Sequence, residues 1–193
     1  MRSETKSSVL CISRTDKVSV FLNQILPNTA FTKPDTVGSA AEAKRELIYR
    51  SYDIVVINAP LTDEFGTDLA ITLTEQFNVA VLLLVPTEAY EHVTEGVEDY
   101  GVLTMSRPCP PAQVLHCMRL LAATRARMKV LEQKTESLEK KMEEIRIINQ
   151  AKGLLMDRYS MTEDEAHKHL TKTAMDSGSK KVDIAKKILQ NLM

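Results

Sequence analysis

The sequence predicts an α/β fold: a doubly wound parallel five-stranded sheet, followed by a long helix and a small helical domain. Continuous apolar runs of strand length recur between Val9 and Met105, and segments with helical periodicity separate them. Runs that are apolar at every position are typical of parallel strands covered on both faces. Their alternation with helices favours a doubly wound sheet. A long heptad pattern after Pro111 predicts the extended helix.

The predicted elements follow one another in a regular order. Strands are expected at 9–12, in the weaker stretch 29–37, at 53–58, at 79–85 and at 101–105. Helices are expected after Asp16, at 39–49, at 66–77 and, with less regular periodicity, at 87–100. Asp16 suits a helix cap, and Ser39 with Glu42 forms a capping box. Because Pro34 interrupts the second strand region, a strand there should be short or lie at an edge.

The stretch from Pro111 to Tyr159 predicts one long helix, since proline suits a first helical turn and no Gly or Pro occurs from Ala112 to Lys152. Seam residues recur at alternating four- and three-residue steps, which indicates a helix that packs against another helix. The sequence offers no second long heptad segment for an internal hairpin, and a solvated apolar seam is unfavourable. A parallel homodimeric coiled coil is therefore the leading interpretation. Its contacts are expected at Leu121, Met128, Leu131, Leu138, Met142 and Ile145.

The composition argues against several classes of protein. The 193 residues carry 25 Lys and Arg against 26 Asp and Glu, a formal net charge of -1, so there is no bulk basic signature. The three cysteines are not spaced for zinc or for a disulfide framework. No metal or cofactor is therefore expected, and a cytoplasmic location is the default. The amino terminus has no long apolar segment, which predicts neither a signal peptide nor a membrane span.

The order and lengths of the elements over residues 7–123 resemble the receiver domain of bacterial response regulators, a flavodoxin-like fold. Arg107-Pro108 is similar to the Lys-Pro step of that family, and Asn58 stands where the family has its phosphate-accepting Asp. Phosphorylation in that family requires a carboxylate nucleophile and acidic ligands for Mg²⁺. Asn58 is a neutral amide, and Ser13-Arg14 replaces the acidic pair. We therefore expect a pseudoreceiver, with no phosphorylation at Asn58 and no catalytic residue.

Two interpretations of the strand ends remain open. Arg14 and Arg107 are able to make this edge of the sheet an anion site; alternatively, both are solvated or paired with Asp16 or Glu64. Asp16 and Asp63 are the nearby carboxylates, and each has an ordinary role available, as a helix cap or a loop residue. Without an Asp at position 58, control is expected from a partner protein, a ligand or the expression level.

The carboxyl-terminal segment predicts three packed helices. After the long helix ends near Tyr159, Thr162 and Glu165 form a capping box for the second helix. Ser177-Gly178-Ser179 ends that helix, and a third helix begins near Val182. The expected packing surface is rich in small residues.

This segment closely resembles the ANTAR domain over about residues 145–192. The resemblance is carried at matching intervals by Ala151-Lys152-Gly153-Leu154-Leu155-Met156, Glu165-Ala166, Leu170, Ala174-Met175 and Asp183-Ile184-Ala185. It implies an RNA-binding transcription antiterminator that recognises paired hairpins in leader transcripts, and receiver-like domains are common in that family. His167 departs from the pattern, because the family usually has an aromatic residue there.

The residues themselves also support a binding surface. From Ile145 onward, cations outnumber anions. Expected RNA contacts are phosphate contacts from Lys152, Arg158, Lys180 and Lys181, base-edge contacts from Asn149 and Gln150, and stacking on Tyr159. Gly153 costs about 1 kcal/mol relative to Ala inside a helix, so either close helix packing or room for a ligand backbone should explain it. An ordinary solvated helix face is the alternative for each side chain.

These inferences predict a pseudoreceiver over residues 1–122, a coiled-coil linker over 123–144 and an ANTAR-like RNA-binding domain over 145–193. The expected molecule is a homodimer that binds two RNA hairpin loops, with an upstream signalling protein as a candidate partner and no contact with a membrane. A DNA-binding regulator and a coiled-coil adaptor are the alternatives. An enzyme is the least favoured class, since no catalytic constellation is found in the sequence.

Overall fold

The computed structural model describes residues 6–192 and divides them into two compact units, with the boundary between Lys129 and Val130. Within residues 6–129, the strands of one parallel sheet are β1 (Val9–Ile12), β2 (Asp35–Val37), β3 (Ile54–Asn58), β4 (Ala80–Pro86) and β5 (Leu103–Arg107). Their order across the sheet is β2-β1-β3-β4-β5. The predicted doubly wound fold is confirmed.

Helices cover both faces of this sheet. They are α1 (Lys17–Ile25), α2 (Ala40–Tyr49), α3 (Thr67–Phe77), α4 (Tyr90–Val97) and the start of α5 (Pro111–Tyr159). Successive residues of a strand point to opposite faces, so Leu82 and Leu83 belong to different apolar cores. One core lies under α2, α3 and α4, and the other lies under α1 and α5. Burial on both sides explains why the central strands are apolar throughout.

Several element boundaries differ from those predicted. Strand β2 begins only after Pro34 and lies at the sheet edge, as expected. Strand β4 begins and ends one residue later than predicted, and β5 begins and ends two residues later, because Pro86 and Arg107 remain partners in their shared ladder. The stretch 87–100 is α4 flanked by two 3-10 turns within the described chain.

The two predicted helix caps have different outcomes. Ser39 Oγ accepts a hydrogen bond from the backbone N–H of Glu42 at 3.2 Å, as predicted for the cap of α2. The expectation that Asp16 caps α1 is wrong: within the described chain its side chain makes no capping hydrogen bond. Asp16 itself has helical backbone angles (φ -69°, ψ -7°), whereas a capping side chain requires an extended backbone at that position.

Helix α5 has the predicted bounds. Its first turns pack against the sheet through Val114 and Met118, both fully buried, and through Leu121. No helix between residues 6 and 192 combines the length and apolar character needed to cross a membrane. The expectation that no signal peptide begins the chain falls mainly on residues 1–5, which lie outside the described residues.

The second unit contains the rest of α5 together with α6 (Glu163–Asp176) and α7 (Lys181–Leu192). The predicted capping box is confirmed: Thr162 Oγ1 accepts from the N–H of Glu165 at 3.3 Å, and the Thr162 N–H donates to the Glu165 carboxylate at 2.8 Å. A core made largely of small residues holds the helices together. Its buried members are Ala151, Leu155, Ala166, Leu170, Ala174, Ile184 and Ala185.

An ion pair attaches α5 to the amino-terminal side of the sheet. Asp53, 9% exposed, lies just before β3. Its carboxylate accepts from the backbone N–H of Ser8 at 3.0 Å and pairs with the Lys129 ammonium of α5. Burial opposes ionisation of Asp53, but the hydrogen bonds from Lys129 and Ser8 prevail and lower its pKa. The carboxylate therefore stabilises the fold above about pH 4, and this stabilisation is lost as the pH falls through the lower folded-state pKa.

We expect Asp53→Asn to lower the free energy of unfolding at neutral pH by about 1–3 kcal/mol, because Lys129 and Ser8 lose a charged acceptor. The difference from the wild type should shrink below about pH 4, where the wild-type carboxylate becomes protonated. Urea unfolding followed by circular dichroism at both pH values measures this. Asp99→Asn, at an exposed carboxylate, is the control, and equal effects of the two substitutions would contradict the assignment.

Candidate functional sites

The carboxyl ends of the strands bring together the predicted receiver positions. Asn58 ends β3, and its Nδ2 donates a hydrogen bond to Ser13 Oγ at 3.1 Å. Arg107 ends β5, and its Nη2 donates to the backbone carbonyl of Ala59. Asn58 Oδ1 and Arg107 Nε are buried without a hydrogen-bond partner among the described residues. The site thus consists of neutral and cationic groups around an amide.

The nearby carboxylates serve structural roles. Asp63 accepts hydrogen bonds from the N–H groups of Ala40 and Ala41, each at 3.0 Å, and these bonds lower its pKa. Glu64 accepts from the N–H of Leu69 at 3.1 Å. Within the described part of the chain, neither carboxylate pairs with Arg107, and no group of three His, Cys, Asp or Glu side chains is placed to hold a metal ion. Among the described residues, this edge of the sheet does not gather three His, Cys, Asp or Glu side chains, so the absence of phosphorylation at Asn58 stays a prediction.

The predicted seam of α5 is exposed along most of its length. Leu121 is buried against the sheet. The following apolar members, each between 46% and 71% exposed, are Met128, Leu131, Leu138, Met142 and Ile145. In the single chain this stripe is left in water, which costs free energy.

A second open surface continues along α5. Residues three or four apart share a helix face, so Asn149, Gly153 and Met156 lie together, and Asn149 follows Ile145 of the seam. We call Asn149, Gly153 and Met156 the glycine face. A Cβ built on Gly153 would meet no described atom within 4 Å outside its own helical backbone. Close packing within the chain therefore does not explain this glycine, and Gln150 is exposed beside it.

Lys152 lies away from the glycine face. Its Nζ donates to Glu163 Oε1 at 2.8 Å, which joins α5 to the start of α6, and its side chain is only 14% exposed. The same hydrogen bond lowers the pKa of Glu163. A phosphate contact at Lys152 stays a prediction, and the ion pair gives this lysine a structural role as well.

The other predicted cations are accessible. Arg158 and Lys180 are exposed, and Lys181 is half-buried at the start of α7. Nine Lys and Arg follow Ile145 in the sequence. Within the described residues, ion pairs engage two of them, Arg146 and Lys152. The remaining seven keep their charge available for a ligand.

Tyr159 borders a cleft of about 380 Å³ that sequence reasoning missed. Leu155, Met161 and Ile188 provide apolar walls, while Tyr159, His169 and Asn191 add an aromatic ring, an imidazole and an amide. We call these six residues the aromatic cleft. The sequence alone gives no reason to expect His169 or Asn191 at a binding surface. The approach of the end of α7 to the end of α5 is a tertiary feature that no local spacing reveals.

Different parts of the chain match different known proteins. Residues 136–189 match the family model of the ANTAR domain. The chain is 21% identical over 172 residues to the transcriptional regulatory protein PdtaR of Mycobacterium tuberculosis, a match that covers 89% of this chain and 83% of that protein. It is 36% identical over 95 residues to the aliphatic amidase regulator of Pseudomonas aeruginosa, covering 49% of this chain and 47% of the regulator. Both relatives are named as regulators.

Solved structures resemble the amino-terminal part. The signal receiver domain of an HD domain-containing protein from Pseudomonas fluorescens aligns with a TM-score of 0.59 at 18% identity, covering 67% of this chain and 96% of that one. The receiver domain of a putative Luxo repressor protein from Vibrio parahaemolyticus aligns with a TM-score of 0.60 at 11% identity, covering 66% and 98%. At such identities these matches show the fold alone. The chain therefore carries an ANTAR domain at residues 136–189, joined to an amino-terminal domain with the receiver fold.

Proposed function

We propose that this protein is a transcription antitermination regulator that binds RNA hairpins through its ANTAR domain. The ANTAR match at residues 136–189 carries the proposal. In this proposal, residues 1–122 receive the signal without phosphorylation at Asn58, residues 123–144 form a coiled coil, and residues 145–193 bind RNA. The protein acts as a homodimer in the cytoplasm, and two heads bind two hairpin loops.

The charge distribution of the head supports RNA as the ligand. Seven of its cations make no ion pair within the described residues, so their charges are available to phosphates. Phosphate contacts supply much of the affinity for nucleic acid and make it dependent on salt. Because the whole chain has a net charge of -1, binding should be confined to this local surface.

The aromatic cleft supports a single-stranded loop as the bound form. Proteins read RNA loops by stacking unpaired bases on aromatic rings and by hydrogen bonds to base edges. Tyr159 is 56% exposed and borders the apolar walls. His169 and Asn191 provide hydrogen-bonding groups in the same cleft. One splayed base fits this combination, whereas the edge of a stacked duplex presents no free base face.

The exposed seam supports the dimer. A parallel, in-register pair of helices would bury Leu131, Leu138 and their seam neighbours. In a parallel coiled coil, the g position of one helix faces the following e position of the partner, five residues later in the sequence. Here Met128 and Thr135 occupy a positions, so the g positions are Arg127 and Lys134. Lys134 then faces Glu139, which pairs opposite charges across the interface. The next pair has like charge, but Arg146 already pairs with Glu143 in its own helix.

We expect an RNA with two tandem hairpins to bind the full-length protein with an affinity that falls steeply with salt. The double variant Lys180→Gln, Lys181→Gln should bind more weakly, and the slope of log affinity against log salt should become about 1–2 units shallower, since two phosphate contacts are lost. Electrophoretic shift assays over a salt series measure this. The double variant Lys33→Gln, Lys44→Gln carries the same charge change in the first unit and should bind as the wild type does. Unchanged slopes for both variants would remove the two lysines from the interface.

Gly153→Ala should separate stability from binding. The added methyl meets open space, so thermal unfolding should show a gain of about 1 kcal/mol from the better helix former. Affinity for the tandem hairpins should fall at the same time, because the methyl group occupies the space in which the RNA is expected to approach the helix. Gly96→Ala is the matched control, since a Cβ on this helical glycine of α4 also meets no described atom. A stabilised Gly153→Ala protein with wild-type affinity would show that RNA does not approach this face.

The dimer is tested by two neighbouring residues of α5. Leu131 and Val130 are 46% and 50% exposed, but only Leu131 lies on the seam. Leu131→Lys should raise the dimer dissociation constant at least about tenfold, because it places a charge in the buried interface. Val130→Lys should leave it unchanged. Sedimentation velocity measures both, and equal behaviour of the two variants would contradict association through the seam.

A further inference from the structure

A second cleft lies within the first unit, at the carboxyl ends of β4 and β5 and beside the start of α1. Its volume is about 530 Å³, within the usual range for small-molecule sites. Its walls are mainly apolar and include Phe21, Leu84 and Pro86. Lys17 and Arg107 also line it, and none of its lining residues is acidic. The cleft therefore combines an apolar interior with uncompensated positive charge.

Arg107 is fixed in position without being fully satisfied. One nitrogen of its guanidinium donates to the carbonyl of Ala59, which anchors the group. Its Nε is buried and has no hydrogen-bond partner among the described residues. A buried donor left unpaired costs about 1–3 kcal/mol, more for a charged group. Because Nε itself is buried, a ligand in the cleft meets the positive charge of the guanidinium rather than this donor.

The residue at position 58 explains why the charge is uncompensated. A carboxylate there would place a negative charge at the strand edge that also holds Arg107. Asn58 provides no charge, and its Nδ2 is already bonded to Ser13. Asp63 does not compensate either, because its oxygens bond the amino-terminal N–H groups of α2.

We infer that this cleft binds a small organic carboxylate with an apolar body, of the size of a single-ring aromatic acid. The guanidinium of Arg107 and the ammonium of Lys17 give the cleft two positive charges that attract a carboxylate. The apolar walls need a hydrophobic group to cover them, which a bare inorganic anion lacks. The two requirements together select an amphiphilic acid.

The position of the cleft gives this ligand a regulatory role. Pro108 and Cys109 line it, and Pro111 begins α5 two residues after Cys109. An occupant thus contacts the segment that leads directly into the helix with the exposed seam. Ligand binding at this site would shift the equilibrium between monomer and dimer. Phosphorylation has this role in an active receiver. This regulatory consequence depends on the proposed dimer, but the binding site itself does not.

The site is tested by calorimetry on the full-length protein with three compounds. Phenylacetate carries both the ring and the carboxylate, phenylacetamide keeps the ring without the charge, and acetate keeps the charge without the ring. We expect saturable binding of phenylacetate at millimolar concentration or below, and at least about tenfold weaker binding of the other two. Lys17→Gln should weaken phenylacetate binding about three- to tenfold, while Lys44→Gln, at an exposed lysine of α2, should not.

Cysteine labelling provides a second readout at the site itself. Cys109 lines the cleft, whereas Cys117 lies outside it on α5, and both are partly accessible. Phenylacetate should slow the reaction of N-ethylmaleimide with Cys109 and leave the rate at Cys117 unchanged, as followed by mass spectrometry of the peptides. Equal binding of phenylacetate and phenylacetamide, no saturable phenylacetate binding at millimolar concentration, or equal labelling rates with and without phenylacetate would overturn the inference. RNA binding is not part of either readout, so such a failure leaves the proposed antitermination function standing.

Discussion

Apolar packing of α5, against the sheet in the first unit and against two short helices in the second, is the constraint on which both units depend. Val114 and Met118 are fully buried against the sheet and complete one face of its core. The same helix continues without a break to Tyr159, where Ala151 and Leu155 form part of the second core. Lys129 reinforces the attachment through its ion pair with Asp53. A single element thus contributes core residues to two units and a hydrophobic stripe between them.

The cleft at the strand ends and the surface of the ANTAR domain both carry positive charge, but the charge has a different origin in each. At the strand ends, Asn58 is neutral and Arg107 is cationic, and the buried Nε of Arg107 has no partner among the described residues. In the head, cations are numerous but few are neutralised inside the chain. Lys152 is an exception, since it joins α5 to α6 through Glu163. Both surfaces therefore favour anionic ligands, although one cleft is small and apolar and the other surface is broad.

Periodicity predicts the fold of this chain well, because strand and helix patterns depend on neighbours in sequence. The bounds of α5 follow directly from its heptads and from Pro111. Asp16 shows the limit of local patterns. Its side chain is of a type that often caps helices, but its helical backbone angles do not allow the capping hydrogen bond. The aromatic cleft could not be predicted, because only tertiary packing brings Asn191 and Tyr159 to the same cleft. Seam association and RNA binding involve other molecules, so local patterns predict candidate residues for them but no geometry.

The unbroken run of α5 through the second unit has a consequence for its evolution. Each residue advances the helix by about 100°, so the seam and the glycine face keep a fixed angular offset only while the spacing between them is preserved. Loss or gain of one residue would rotate Gly153 by about 100° relative to the stripe that precedes it. Insertions of seven would retain the phase. Related chains in which α5 has a different length should therefore differ by multiples of seven residues, and a comparison of their sequences alone would reveal this.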